Sequence, residues 1–264
     1  KRNASVQHAI ALLQEAMKQQ SARAQQVSRE PIPIQLPKLK GVFVDREMER
    51  DTLCHSLTAE DKHLVVIVAP GGYGKTELTT KVLQEIAPAS SIFMEDIQGM
   101  LYLKCVRGDI KLGQIFTEAG RIVGKRDEFR QIYATKDLTL ARKLEYFFGE
   151  LSKTGNILVV MDNFAALLDP TDDSIRDEEL REFLETAASV EYTVRMIVTS
   201  RSVPRFKGSC KVKKIDLSKG LPEDQVIRYL REEGVEYGLE EEDDSVLRVF
   251  VKRDHCITKA FESV

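Results

Sequence analysis

The stretch Leu64-Val65-Val66-Ile67-Val68-Ala69-Pro70-Gly71-Gly72-Tyr73-Gly74-Lys75-Thr76-Glu77-Leu78-Thr79 decides the reading of this chain. Five apolar residues in a row predict a strand buried on both faces. The Pro- and Gly-rich loop stops that strand at once, and Glu77, Leu78 and Thr79 open a helix. Gly71, Gly72 and Gly74 let the backbone curl so that successive N–H groups face one anion, to which the helix N-terminus adds its partial positive charge. Lys75 supplies a compact cation to the β- and γ-phosphates of a nucleotide, and the Thr76 hydroxyl is a ligand for Mg²⁺. The pattern G-x-x-x-x-G-K-S/T asks for Gly at position 69, where this chain has Ala, the smallest departure available. Strand, loop and helix in this order make residues 69–76 a phosphate-binding loop, with Pro70, Gly71, Gly72, Tyr73, Gly74, Lys75, Thr76 and Glu77 as the candidate nucleotide contacts.

A nucleotide held this way needs a carboxylate for its metal, at the end of another buried strand. Ile157-Leu158-Val159-Val160-Met161-Asp162 fits. An Asp closing so apolar a run is costly to bury unless it meets a cation, so Asp162 joins Thr76 as a metal ligand and Lys75 as a catalytic candidate. The next position often carries the acid that orients attacking water, but here it is Asn163, which accepts no proton, and this predicts weak hydrolysis. Asp169, seven residues past Asp162, reads as a turn or helix cap. A further apolar run ends in Val198-Thr199-Ser200-Arg201 and places polar groups at the carboxyl edge of the sheet. Arg201 is the leading candidate there to sense a γ-phosphate, with Thr199 and Ser200 as alternatives.

Outward from the loop, apolar runs at Leu64–Ala69, Leu101–Val106, Ile157–Asp162, Val194–Ser200 and Val212–Leu217 alternate with helical stretches. Such alternation predicts right-handed crossovers and a three-layer α/β/α architecture around a parallel five-stranded sheet. Upstream, Val6, Ile10, Leu13 and Met17 form one apolar stripe on a Gln-rich segment, which predicts an amphipathic helix over residues 1–30. Pro31, Pro33 and Pro37 impose an extended boundary after it. A helical pattern through Met48, Leu53 and Leu57 precedes the first strand. Beyond Ser218 the chain reads as helices, one from Pro222 to Gly234 and one from Ser245, entered through the acidic run 240–244. The expected units are thus the helix at 1–30, a nucleotide-binding core at 31–217 and a helical unit at 218–264.

With 42% hydrophobic and 31% charged residues, the composition is that of a folded globular chain rather than a disordered or membrane one. A net charge of -3 provides no global basic field, so nucleic acid is unsupported as a partner. Lys213, Lys214 and Lys219 read as solvated charges. Cys54, Cys105, Cys210 and Cys256 have no metal-ligand spacing and read as reduced thiols, which predicts a cytoplasmic location. No apolar run approaches the roughly 18 residues that span a bilayer, and the N-terminus has no signal-peptide pattern, so no membrane association is expected. The first residue is Lys rather than Met, which suggests a piece of something longer.

The motifs, in their order, resemble the STAND class of P-loop ATPases, the signal-transduction ATPases with numerous domains, including its NB-ARC branch. The similarity covers roughly residues 41 to 260. Phe43-Val44-Asp45-Arg46-Glu47 looks like the F-V-G-R-E motif of that class, with Asp45 in place of Gly; the resemblance puts Phe43, Val44 and Arg46 at the adenine end of the nucleotide. Gly71 to Leu78 matches G-G-x-G-K-T-x-L, the Walker A element. Met100-Leu101-Tyr102-Leu103 resembles the second core strand. Met161-Asp162-Asn163-Phe164 resembles an L-D-N-F Walker B element, followed by Ala165 where many bacterial members have Glu. Thr199-Ser200-Arg201 matches the T-S-R sensor of the class.

What the resemblance implies is a sheet of order 5-1-4-3-2, a helical lid after Leu217, and ATP/ADP with Mg²⁺ as cofactors. The lid signature G-x-P-L-A falls near Asp254–Thr258, where this chain lacks both the Gly and the Pro. The preference for adenine also agrees with the absence of an N-K-x-D base-reading sequence. The implied function is a molecular switch that exchanges ADP for ATP and signals to effector and sensor domains outside these residues, through a nucleotide-dependent homo-oligomer. The alternatives are an actively cycling ATPase of the AAA+ remodelling kind, against which Asn163 and Ala165 argue, and a kinase, for which no acceptor pocket or Arg-rich lid is visible.

Overall fold

The computed structural model describes residues 43, 46–58, 64–86, 97–105, 110–188, 194–208, 210–233 and 242–248. All of them belong to the unit that spans residues 35–264. The predicted helix at 1–30, Val44 and the segment 254–258 lie outside the described residues.

Helix α1 (Glu47–Thr58) leads into β1 (Leu64–Val68), and the phosphate loop then opens α2 (Lys75–Ile86). Strand β2 (Ile97–Lys104) is followed by three helices, α3 (Leu112–Ile122), α4 (Arg126–Ala134) and α5 (Leu140–Thr154). Next come β3 (Asn156–Asp162), a 3-10 turn (Phe164–Leu167), α6 (Glu178–Ala187), β4 (Arg195–Ser200), β5 (Val212–Asp216) and α7 (Glu223–Glu233). The five strands form one parallel sheet in the order β2-β3-β4-β1-β5, which is the expected 5-1-4-3-2 read from the other edge.

The central strands are apolar through their middles because both of their faces are covered, and polar groups sit at the ends of β3 and β4; all five residues of β1 are apolar and buried. On one face Val66, Val68, Val159, Met161, Met196 and Val198 join a cluster with Phe116, Phe129, Phe147, Phe148 and Phe183 from α3 to α6. Residues of the other parity, such as Val65 and Ile67, lie toward α1 and α2, which bury Leu53, Leu57, Leu78, Val82, Leu83 and Ile86. Met48 belongs to neither layer. It is 83% exposed, because five residues from Leu53 is the wrong spacing for the buried face of α1.

Strand β2 begins four residues earlier than the Leu101 expected from its apolar run. The register shifts between Ile97 and Gly99, and a Cβ on Gly99 would come within 2.6 Å of Ile122 and 2.9 Å of Ile157. Glycine at this position lets the strand pass close to Ile122 of α3. Past β5, α7 covers the predicted Pro222 helix, and Gln225 and Val226 N–H both donate to the Pro222 carbonyl at 3.0 Å. The helical turn at 244–248 starts where Asp243 accepts from Ser245 N–H at 2.7 Å, so this residue of the predicted acidic run serves as the helix entrance. Arg231 and Arg248 tie that turn to α7 through Asp244 (2.7 Å) and Glu223 (3.0 Å).

Candidate functional site

The carboxyl edge of β1, β3 and β4 carries the predicted groups. The loop enters α2 at Lys75, and Leu78 N–H bonds to the Gly74 carbonyl at 2.9 Å as the first helical contact. Gly72 and Gly74 have φ of 78° and 79°, the left-handed region in which glycine is favoured. Gly71 is not among the positive-φ glycines, and a Cβ there would meet nothing within 4 Å. The curl of the loop therefore depends on two of the three glycines rather than all of them. Lys75 Nζ donates to the carbonyls of Ala69 (2.8 Å) and Pro70 (2.7 Å), which holds the cation against its own loop.

At the centre lies Asp162, buried to 3% exposure at the end of β3. Its Oδ1 accepts from Thr199 Oγ1 at 2.6 Å and its Oδ2 from Tyr102 Oη at 2.9 Å. The Thr76 hydroxyl reaches both oxygens, at 2.9 and 3.2 Å. Three hydroxyl donors on three different elements thus offset the burial of this charge. Thr76 and Asp162, 86 residues apart in sequence, are brought together as predicted. Tyr102 was legible only as a strand residue; the phenol between Leu101 and Leu103 is the polar group that could have marked it. Burial, and then the neighbouring Asp162 charge, push the Tyr102 phenol well above the ordinary tyrosine range. The same two causes push the Cys105 thiol up to about 12.

The remaining candidates are placed less centrally. Thr199 spends its proton on Asp162, so of the sensor triplet only Ser200 and Arg201 remain available to a phosphate. Ser200 Oγ is buried without a hydrogen-bond partner among the described residues. Arg201 is exposed one residue past the Val68–Ser200 register pair, beside the start of the loop. Asn163 has φ of 61°; its amide donates to the Cys105 carbonyl at 2.9 Å and its N–H to Thr199 Oγ1 at 2.9 Å. Asp169 accepts from the N–H and hydroxyl of Thr171, a turn cap as expected. Arg46 is buried and paired with Glu49 at 2.9 Å, and Phe43 is half-buried. Tyr73 packs near the turn after β5, since a Cβ on Gly220 would lie 3.8 Å from its ring.

The donor set suits a hard, oxygen-loving cation. One carboxylate and one hydroxyl stand side by side, and no cluster of three or more His, Cys, Asp or Glu with metal-site geometry occurs among the described residues. That is the protein's usual share of an Mg²⁺–nucleotide site, whose other ligands are phosphate and water. Among the described residues, no helix is long and apolar enough to cross a membrane.

No family model matches the chain. An uncharacterized WD repeat-containing protein of Nostoc sp. is 25% identical over 172 residues, covering 62% of this chain and 13% of that protein. Among solved structures, a signal transduction ATPase with numerous domains (STAND) with a tetratricopeptide repeat sensor, from Pyrococcus horikoshii, is 18% identical with a TM-score of 0.57. The match covers 84% of this chain and 30% of that one. The Aeropyrum pernix ORC1 protein, solved in complex with DNA, is 16% identical with a TM-score of 0.52 over 88% of this chain and 68% of its own. This chain therefore spans well under two thirds of the Nostoc and Pyrococcus proteins. Taken with the sheet order and the glycine-turned loop, the structural likeness establishes the P-loop NTPase fold for this chain.

Proposed function

We propose that this chain is the ATP- and ADP-binding switch module of a larger STAND-type signalling protein, with slow or negligible ATP hydrolysis. The observation that carries the reading is the bond between Thr76, on the helix that opens from the phosphate loop, and Asp162, the buried carboxylate of β3. In this reading the loop from Pro70 to Thr76 cradles the phosphates and Lys75 neutralises the β- and γ-phosphates. Thr76 and Asp162 hold Mg²⁺, whose bound charge offsets that of the phosphates. Arg201 answers to the γ-phosphate, and Phe43, Val44 and Arg46 lie toward the adenine.

Slow turnover is supported by what surrounds Asp162. The following residue, Asn163, has no proton-accepting group to give and bonds to a backbone carbonyl, and Asp169 is committed to its own turn. A site that holds nucleotide without consuming it suits a device whose state depends on which nucleotide is bound. Exchange of ADP for ATP then shifts the core (31–217) against a helical lid (218–264), because only ATP offers contacts to Arg201. Tyr73, whose ring lies near Gly220 in the turn that leads to α7, passes that change on in this reading. Sensor and effector domains lie outside these residues in this reading, which agrees with the Pyrococcus protein carrying a tetratricopeptide repeat sensor, and nucleotide exchange drives homo-oligomer formation.

The test is to denature the purified protein, identify any released nucleotide, and titrate nucleotide-free protein with ATP and ADP with and without Mg²⁺ beside a turnover assay. Co-purified ADP with turnover slower than about one per minute, far below the usual enzyme range, is the expected result. Fast multiple turnover would overturn the switch in favour of a cycling ATPase.

A further inference from the structure

Asp162 receives more than the loop gives it. Strand β3 lies between β2 and β4, and each neighbour sends one hydroxyl to a different oxygen of the carboxylate. Thr199 stands one residue beyond the Met161–Val198 pair, level with Asp162. Its oxygen already accepts the Asn163 N–H at 2.9 Å, so its single proton is directed to Asp162 Oδ1 at 2.6 Å. Tyr102 pairs with Val160, two residues before Asp162 on the same face of the sheet, and only a side chain as long as a phenol spans that offset to reach Oδ2 at 2.9 Å. Thr76 is the third donor and differs in kind: it alone is carried by the phosphate-loop helix, and it touches both oxygens at 2.9 and 3.2 Å.

We propose that Tyr102 is a positioning residue for the metal-binding carboxylate: with Thr199 it clamps Asp162 from both flanking strands, leaving Thr76 as the exchangeable partner that turns to the cation. The proposal rests on the reading of Thr76 and Asp162 as Mg²⁺ ligands given above. The two strand-borne hydroxyls hold the carboxylate in one orientation whatever the loop does, so no reorganisation is needed at Asp162 when Thr76 is recruited. Hydrogen-bond partners that orient a metal ligand commonly account for about ten-fold or more in metal affinity. Their loss acts on the cation-dependent part of nucleotide binding, not on the part supplied by the loop amides and Lys75.

The experiment compares nucleotide-free wild type with Tyr102→Phe, which removes the hydroxyl and keeps the ring. Calorimetric affinities for ADP and for a non-hydrolysable ATP analogue are measured in EDTA and at saturating Mg²⁺, with Mn²⁺ binding followed by electron paramagnetic resonance. The expected result is that the gain in affinity on adding Mg²⁺ shrinks by about ten-fold in Tyr102→Phe, with a matching loss of bound Mn²⁺. Thr199→Val, which removes the opposite clamp, should show the same selective loss and supplies an independent test. A wild-type Mg²⁺ gain in Tyr102→Phe overturns the proposal, as does an equal loss with and without Mg²⁺, the mark of a merely structural ring. If wild type binds no nucleotide at all, the underlying reading falls as well; if it binds with a normal Mg²⁺ gain that neither variant alters, only the clamp falls.

Discussion

Gly72 and Gly74, with φ of 78° and 79°, turn the loop, while Gly71 has open space where a Cβ would stand. Gly74→Ala should therefore cost about 1–2 kcal/mol from the left-handed strain alone. Gly71→Ala should leave stability within about 0.5 kcal/mol of wild type. Urea unfolding of the two variants checks the contrast, and equal losses would show that the loop is turned by something other than these two residues. Lys75 is the complementary case, because its worth lies in the ligand rather than in the fold. Lys75→Ala should weaken ATP binding by roughly 10- to 150-fold, the size of one charge-assisted contact of about 1.5–3 kcal/mol, with the unfolding midpoint little changed. A variant that binds as tightly as wild type in calorimetry would remove the phosphate-loop reading.

Among the elements, the helices between β2 and β3 depend on close approach. A Cβ on Gly120 of α3 would lie 2.9 Å from the Arg126 Cα and 2.9 Å from the Phe129 Cβ. Backbone does not yield as a flexible side chain does, so Gly120→Ala should prise α3 from α4 and cost about 1–3 kcal/mol. Loss of Phe129 near-ultraviolet signal together with a lower unfolding midpoint would report that separation. Helix α6 begins at a different kind of control point. The Asp177 carboxylate accepts from the N–H groups of Glu179 (3.0 Å) and Leu180 (3.1 Å), so Asp177→Ala should cost about 1 kcal/mol as a lost cap.

For the molecule as a whole, three tyrosines tie stability to alkaline pH, Tyr146 among them because burial raises its phenol. Burial and then Asp162 raise the Tyr102 phenol; burial and then the bond to Glu179 raise Tyr133 up to about 12. The folded state holds these protons more tightly than the unfolded chain, so their contribution is complete below the ordinary tyrosine pKa of 10.0 and declines as pH rises beyond it. Unfolding midpoints should be flat to about pH 8, begin to fall near pH 9 where the raised Cys105 thiol starts to lose its contribution, and fall further above about pH 10, less steeply in Tyr102→Phe. Much of this molecule was already determined by local pattern. Apolar runs predicted the five strands, continuous in β1 and interrupted by Lys213 and Lys214 in β5, and the loop at 69–76 with its flanking strand and helix placed the phosphate site, because both signals are carried by neighbouring residues whose spacing reports burial and backbone shape. The same holds for Asp162, conspicuous as a charge ending an apolar strand, and for the Pro222 helix. Tertiary structure alone decided what depends on sequence-distant groups meeting. Met48 turned out exposed because one apolar residue does not say which face a helix buries. Strand β2 ran upstream of Leu101 through Gly99, where a Cβ would meet Ile122 of α3, and Thr199 turned to Asp162 rather than remaining free for phosphate. Tyr102, marked in the sequence only by a polar tip between two leucines, became a site residue because pairing beside β3 lets a phenol reach a carboxylate 60 residues away, and no local pattern encodes that register.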